Sequence, residues 1–251
     1  GASSTSARKR SGARASNARR ELEALTRRYT AEIIDVPDWG RSDWGPTVAT
    51  IAPSGWIDAS GSDEQITAEF RGTGRTAAKT SLHELEPEPE RSVEQLAATF
   101  VNDATMLARH PPIANDPASA RVQEETRSVT VRAWIYAIKY EEDRDWHLIV
   151  GTDPDRGVKT FLSCEVSGLP SKSASSYSQL LKARQSLARI LGDDLPGPGG
   201  YTKYTPPIPV EIEGMLFFDL DHPAGAVGPP GMRPKTAWEI RPVTRIALGS
   251  S

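Results

Sequence analysis

The stretch SVTVRAWIYAIKYEEDRDWHLIVGTDPDRGVKTFLSCEV, residues 128–166, decides the fold. Residues 129–140 place Val131, Ala133, Ile135 and Ala137 on one side and Trp134, Tyr136 and Ile138 on the other, which predicts a long strand buried on both faces. The polar segments EEDR (141–144) and DPDRG (153–157) then reverse the chain into strands at 145–150 and 159–166, giving three antiparallel strands. Working outward, Leu180, Leu181, Ala183, Leu187, Ala188 and Ile190 recur at helical spacing, and Gly192 ends that helix. A Pro- and Gly-rich connection at 196–209 leads to a strand at 210–218, a long loop at 219–235, and a last strand at 236–248. Five strands with one helix between the third and fourth is the order of an OB-fold barrel. The chain is therefore expected to be mainly β with helices, α+β in class, with a five-stranded OB-fold-like barrel over 128–251. Such a barrel holds its ligand over strands two and three, between the loop joining strands one and two and the loop joining strands four and five.

The 251 residues, 37% hydrophobic and 25% charged, suit an ordinary globular protein, and no apolar run approaches the roughly 20 residues of a membrane-spanning helix. The single Cys164 excludes an intramolecular disulfide and reads as a buried small hydrophobe inside a strand. No apolar leader segment follows the early positive charges, so a cytoplasmic location and no membrane partner are expected. The net charge of −3 conceals an asymmetry, because residues 1–28 carry eight basic side chains against Glu21 and Glu23. Residues 1–20 are expected to form a basic disordered arm, with a short helix over 16–29.

Residues 21–91 read as a small α/β region with strands at 31–36, 47–51 and 65–70. Trp39, Trp44 and Trp56 fit its core or an aromatic binding surface. The acidic ELEPEPER, residues 84–91, predicts an exposed, extended linker. Residues 92–127 then hold one amphipathic helix, capped by Ser92 and spaced by Val93, Leu96, Phe100, Val101, Ala104 and Leu107, with a loop after it.

The polar residues on or beside the ligand-facing strands and loops are Asp145, His147, Glu165, Asp219, His222 and Glu239, the candidate catalytic set. Carboxylates mixed with imidazoles suit Mn, Zn or Ca, and Asp219, Asp221 and His222 form the candidate cation ligands. No cofactor is otherwise indicated. The bland alternative is that His147 and Glu165 pair across neighbouring strands while Asp219 and His222 fasten the long loop. Trp134, Tyr136 and Trp146 are candidates for stacking on bases, with Arg144, Lys159, Arg233 and Arg241, joined by Arg132 and Lys139, following a phosphate backbone.

Several short motifs also carry a resemblance. Asp145-Trp146-His147-Leu148, Cys164-Glu165-Val166, the Gly214–Asp219 segment followed by His222, and Trp238-Glu239-Ile240-Arg241-Pro242-Val243 are similar to those of a widespread group of uncharacterised bacterial OB-like domains. Its members carry a D-[YW]-H-L strand, a G-x-L-F-x-D-x-x-H strand end and a closing W-E-[IL]-H-P-V. The resemblance covers residues 128–248 and implies a fold rather than an activity. At Arg241 those relatives tend to have His, which puts any role of that histidine in doubt here.

The expected function is a binding or interaction protein whose OB-like module contacts single-stranded nucleic acid or another polyanion. Two other readings stand beside it. One is a cation-dependent phosphodiester hydrolase using the Asp/His/Glu cluster. The other is a structural or assembly protein with a nucleic-acid-contacting arm.

Overall fold

The computed structural model describes residues 30–34 and 60–249, with side chains from Asp63 onward. The expected arm over 1–20, the helix over 16–29, the strand over 47–51 and Trp39, Trp44 and Trp56 lie outside the described residues. Seven strands are present among those described: β1 (Thr30–Ile34), β2 (Arg91–Ser92), β3 (Ser128–Tyr140), β4 (Trp146–Gly151), β5 (Phe161–Val166), β6 (Tyr201–Phe218) and β7 (Trp238–Leu248). The helices are α1 (Ser60–Ile66), α2 (Thr76–Thr80), α3 (Val93–Ala97), α4 (Asp103–Leu107) and α5 (Tyr177–Leu191). The class is mixed α+β, with strands predominating.

All seven strands belong to one sheet in the order β1-β6-β7-β5-β4-β3-β2, with an additional β6–β3 pairing. The hairpins β3–β4 and β4–β5 are antiparallel, β5 runs parallel to β7, and β6 is antiparallel to both β7 and β3. Five consecutive ladders thus return to the strand they started from, while β1 and β2 are appended to β6 and β3. α5 separates β5 from β6 and buries Leu180, Ala183, Leu187 and Leu191.

Side chains alternate between the two faces of a strand. One face joins a single apolar cluster holding Leu148 and Val150 of β4, Leu162, Cys164 and Val166 of β5, Trp238 and Ile240 of β7, and Leu216 and Phe218 of β6. Cys164 is fully buried there, and burial raises its thiol pKa well above the ordinary value, as a structural cysteine requires. The opposite face of the same strands carries His147, Glu165, Glu239 and Arg241, which are also buried. They are covered by residues 219–237. Gly228 lies so close to Ile149 that a Cβ there would sit 3.1 Å from its Cδ1, at a φ of 96° that favours glycine. Met232 of the same segment packs on Ile149, Ala137 and Tyr201.

Three expectations need correction. Residues 65–70 are not a strand: Gln65 and Ile66 end α1, and their carbonyls accept hydrogen bonds from the buried Arg184 guanidinium. Only Glu69 makes a bridge, to Leu169.

The helix expected from residue 93 to 107 is broken into α3 and α4. Ser92 caps α3 as expected, in a capping box with Gln95, but the Thr99 hydroxyl then donates to the Leu96 carbonyl and Asn102 Oδ1 accepts from the Ala104 N–H. Asp103 starts α4 while its carboxylate accepts from Thr236 Oγ1 and the Ala237 N–H. Local side-chain bonds and a tertiary partner outweigh the apolar periodicity.

The Pro- and Gly-rich 196–209 is not all connection, since β6 begins at Tyr201. Lys203 pairs with Ala137 and Ile208 with Ile135, so the ladder to β3 skips residues 204–207, where Pro206 and Pro207 need donate no hydrogen bond to it. The acidic segment 84–90 is mostly exposed and free of helix, as its prolines require.

Candidate metal centre

The centre is built on β4, β5 and β7. His147 faces Glu165 across the β4–β5 ladder, and the parallel β5–β7 pairing sets Glu239 beside Ser163. Two segments complete it: the β3–β4 turn supplies Glu141, Asp143 and Asp145, and the start of the long loop supplies Asp219 and His222. Two groups of ligand-type atoms result, Glu141/His147/Glu165 and Asp219/His222/Glu239, each with its atoms within 4.8 Å of one another. Ligands bound at about 2.0–2.3 Å from one ion are separated by distances of this size.

The imidazoles are positioned from behind. His147 Nε2 is hydrogen-bonded to Ser163 Oγ at 3.2 Å, leaving Nδ1 to face Glu165 Oε1 at 2.6 Å. His222 Nδ1 lies 3.1 Å from Asp219 Oδ2. Neither close approach is aligned as a hydrogen bond. Among the described residues, His147 Nδ1, His222 Nδ1, Asp219 Oδ2 and both oxygens of Glu165 are buried without a hydrogen-bond partner. A buried carboxylate ordinarily carries several hydrogen bonds, because its desolvation otherwise costs several kcal/mol. An imidazole held at one nitrogen, with the other beside carboxylates but unbonded, suits a metal-binding histidine.

Arg241 is the fixed cation of the centre. Its guanidinium contacts Asp145, reaches Asp143 at 3.1 Å and Glu239 at 3.4 Å, and stands 3.8 Å from Asp219. Asp145 is completed by the Gly168 N–H, 2.6 Å from its Oδ1. Phe217 lies beneath a group of cations, with Arg75 4.5 Å, Arg121 5.7 Å, Lys79 5.8 Å and Arg241 5.9 Å from its ring centre. Arg75 is held in a bidentate pair with Glu125, at 2.6 and 2.7 Å, and donates to the Phe218 carbonyl, which fixes the chain just before Asp219. Arg121 clamps the carbonyls of Leu216, Ala78 and Arg241.

Burial dominates the proton affinities. It pushes Glu165 well above the carboxylate range and Glu239 up to about 8, with the Asp219 charge adding to the latter. It raises Asp145 to about 7 against the pull of Arg241, and it lowers His147. Asp219 and His222 move the other way: burial opposes both charges, but their mutual contact holds Asp219 well below the usual range and His222 up at about 9.

The structure brings together His147, Glu165, Asp219, His222 and Glu239, and in the two groups it does not include Asp145 or Asp221. Asp145 has both oxygens engaged, by Gly168 and Arg241, so it serves as a counter-ion rather than a group open to reactants. Asp221 turns outward, half exposed, to Asn115 and Lys79.

Two of the three stacking candidates are buried and the third is half-buried. Trp146 is fully buried, with its Nε1–H on the Pro196 carbonyl and the Arg184 guanidinium 4.2 Å from its ring. Tyr136 is buried, donates to the Thr152 carbonyl and meets Phe161 edge-on, and Trp134 is half-buried. Arg241 is locked among carboxylates, Arg132 pairs with Glu90, Lys139 pairs with Glu141, and Arg144 is half-buried. Lys159 and Arg233 remain exposed.

Sequence reading missed Glu141, whose only signal was its place in the β3–β4 turn, two strand positions beyond Lys139. It also missed Arg184, which was detectable as a charge at the Leu180+4 position of an apolar helix face. Compared with family models, curated proteins and solved structures, the chain matches none.

Proposed function

We propose that this chain is a divalent-cation-binding protein whose cyclic run of ladders is an OB-like barrel and whose cation centre lies over its second and third strands, beneath the 219–237 segment. The antiparallel β3–β4–β5 meander, the helix before β6 and the parallel β5–β7 closure support the OB-like reading. One observation carries the cation reading: Glu165, 0% exposed, has neither oxygen hydrogen-bonded among the described residues although His147 Nδ1 lies 2.6 Å away. A cation supplies the electrostatic partner that these lone pairs otherwise lack. Mixed imidazole and carboxylate donors favour manganese, iron or zinc over magnesium.

Metal analysis of protein prepared without chelator, followed by thermal melts with and without EDTA, tests this reading. Bound metal and a lower melting temperature in chelator are the expected results. Metal-free protein that does not respond to added Mn(II), Zn(II) or Fe(II) rejects it.

A hydrolytic extension is favoured by one further observation. Glu141 and His222 are the partly exposed members of the two groups, so a cation here has an edge toward water. Cation-dependent cleavage of a generic phosphodiester, abolished by chelator, is its test.

A further inference from the structure

Six carboxylates, Glu141, Asp143, Asp145, Glu165, Asp219 and Glu239, act on the single guanidinium of Arg241. Of these, Asp143 and Asp145 bond Arg241 directly and lie outside the two ligand groups. Four carboxylates and two imidazoles are left. Lys139 faces Glu141, His222 faces Asp219 and Arg241 reaches Glu239, but neither oxygen of the buried Glu165 is hydrogen-bonded among the described residues, and a single ion held in one group leaves the other group's buried carboxylates only partly compensated.

The two groups are also neighbours. The His147 and His222 rings lie 6.0 Å apart, centre to centre, at 77°. Each group by itself offers two carboxylates and one imidazole nitrogen. Glu165 is on β5, the strand between those of His147 and Glu239, and has two oxygens free of hydrogen bonds.

We infer that the two groups hold two first-row divalent cations side by side, one at Glu141/His147/Glu165 and one at Asp219/His222/Glu239, with Glu165 shared between them. This inference rests on the cation reading of the centre. The donor set of four carboxylates and two imidazoles is the one that carboxylate-bridged two-metal proteins assemble on helical bundles, built here on strands and a loop. Arg241 balances the remaining charge through Asp143 and Asp145 and keeps these two carboxylates out of the coordination. Two ions placed together suit a substrate oxygen shared by both, as in hydrolytic two-metal sites with ions about 3.5–4 Å apart.

The test is Mn(II) titration of the chelator-treated full chain, with stoichiometry read by calorimetry and by metal analysis, and spin coupling read by electron paramagnetic resonance. Two Mn(II) per chain with an exchange-coupled spectrum is the expected result. Glu141→Gln and His222→Gln alter groups that reach solvent, and each is expected to retain one ion and lose the coupled signal. Glu165→Gln is expected to lose the coupled signal as well. Saturation at one ion per chain, or two ions without coupling, overturns the two-ion centre and leaves the single-cation reading standing. Binding of no Mn(II), Zn(II) or Fe(II) removes both. Should a variant fail to fold, the wild-type stoichiometry and spectrum decide the matter alone.

Discussion

The two faces of β4, β5 and β7 are equally dry and chemically opposite. On one face Leu148, Val150, Cys164 and Ile240 pack together fully buried. On the other, one residue along each strand, His147, Glu165, Glu239 and Arg241 are 2% exposed or less. The apolar face is stable by burial alone and tolerates any filling of the right volume. The polar face is stable only if each charge finds a partner, and partners from outside the strands come from the β3–β4 turn and the 219–237 segment. The same backbone thus serves as core on one side and as a platform for chemistry on the other. A ligand-type cluster this deep is affordable only because the apolar face holds the strands in register.

The largest effect in this comparison belongs to its central cation. Arg241→Met is expected to cost about 3–5 kcal/mol in denaturant unfolding, because, among the described residues, it takes the only guanidinium contact from the buried Asp145 and Glu239 and from the half-buried Asp143. A loss under 1 kcal/mol would mean that the carboxylates are already neutral and the contrast between faces is false. Leu148→Ala, on the apolar face one residue from His147, is expected to cost about 2–5 kcal/mol, and equally so with or without metal.

Glu165→Gln keeps the shape and removes the charge. Its melt in chelator is expected to be no lower than wild type, whereas excess Mn(II) at a hundredfold over Kd raises wild-type stability by about 2.7 kcal/mol and the variant's by much less. Equal metal-induced shifts in both would place the ion elsewhere. The smallest effect is reserved for Arg132→Ala, whose pair with Glu90 lies in solvent; less than about 1 kcal/mol is expected in urea unfolding.

Periodicity made the repeating parts legible. Strands expected at 129–140, 145–150 and 159–166 and a helix at 176–191 match β3, β4, β5 and α5 to within about two residues, because alternating and helical apolar patterns report burial directly. The pattern misleads where side-chain bonds compete with it, as at Thr99 and Asn102, and where proline falls opposite a skipped ladder position, as at Pro206 and Pro207.

Most of the cluster was legible too, since Asp219 and His222 lie three apart in one loop and His147 and Glu165 lie on consecutive strands. What sequence could not show is which carboxylates face the imidazoles. Asp145 and His147 are two apart in sequence, yet Asp145 is taken by Gly168 and Arg241, while Glu141, from the same turn, reaches His147 instead. The burial of Trp146 was hidden for a related reason: it occupies a strand position that points to α5 rather than to water.

β6 is 18 residues long, and its first part is bordered by Thr30–Ile34, which pairs with Tyr201–Thr205 across five successive positions. That short amino-terminal strand becomes the border of the sheet in place of the long β6, and a five-residue border offers other chains a shorter row of main-chain donors and acceptors than an eighteen-residue one.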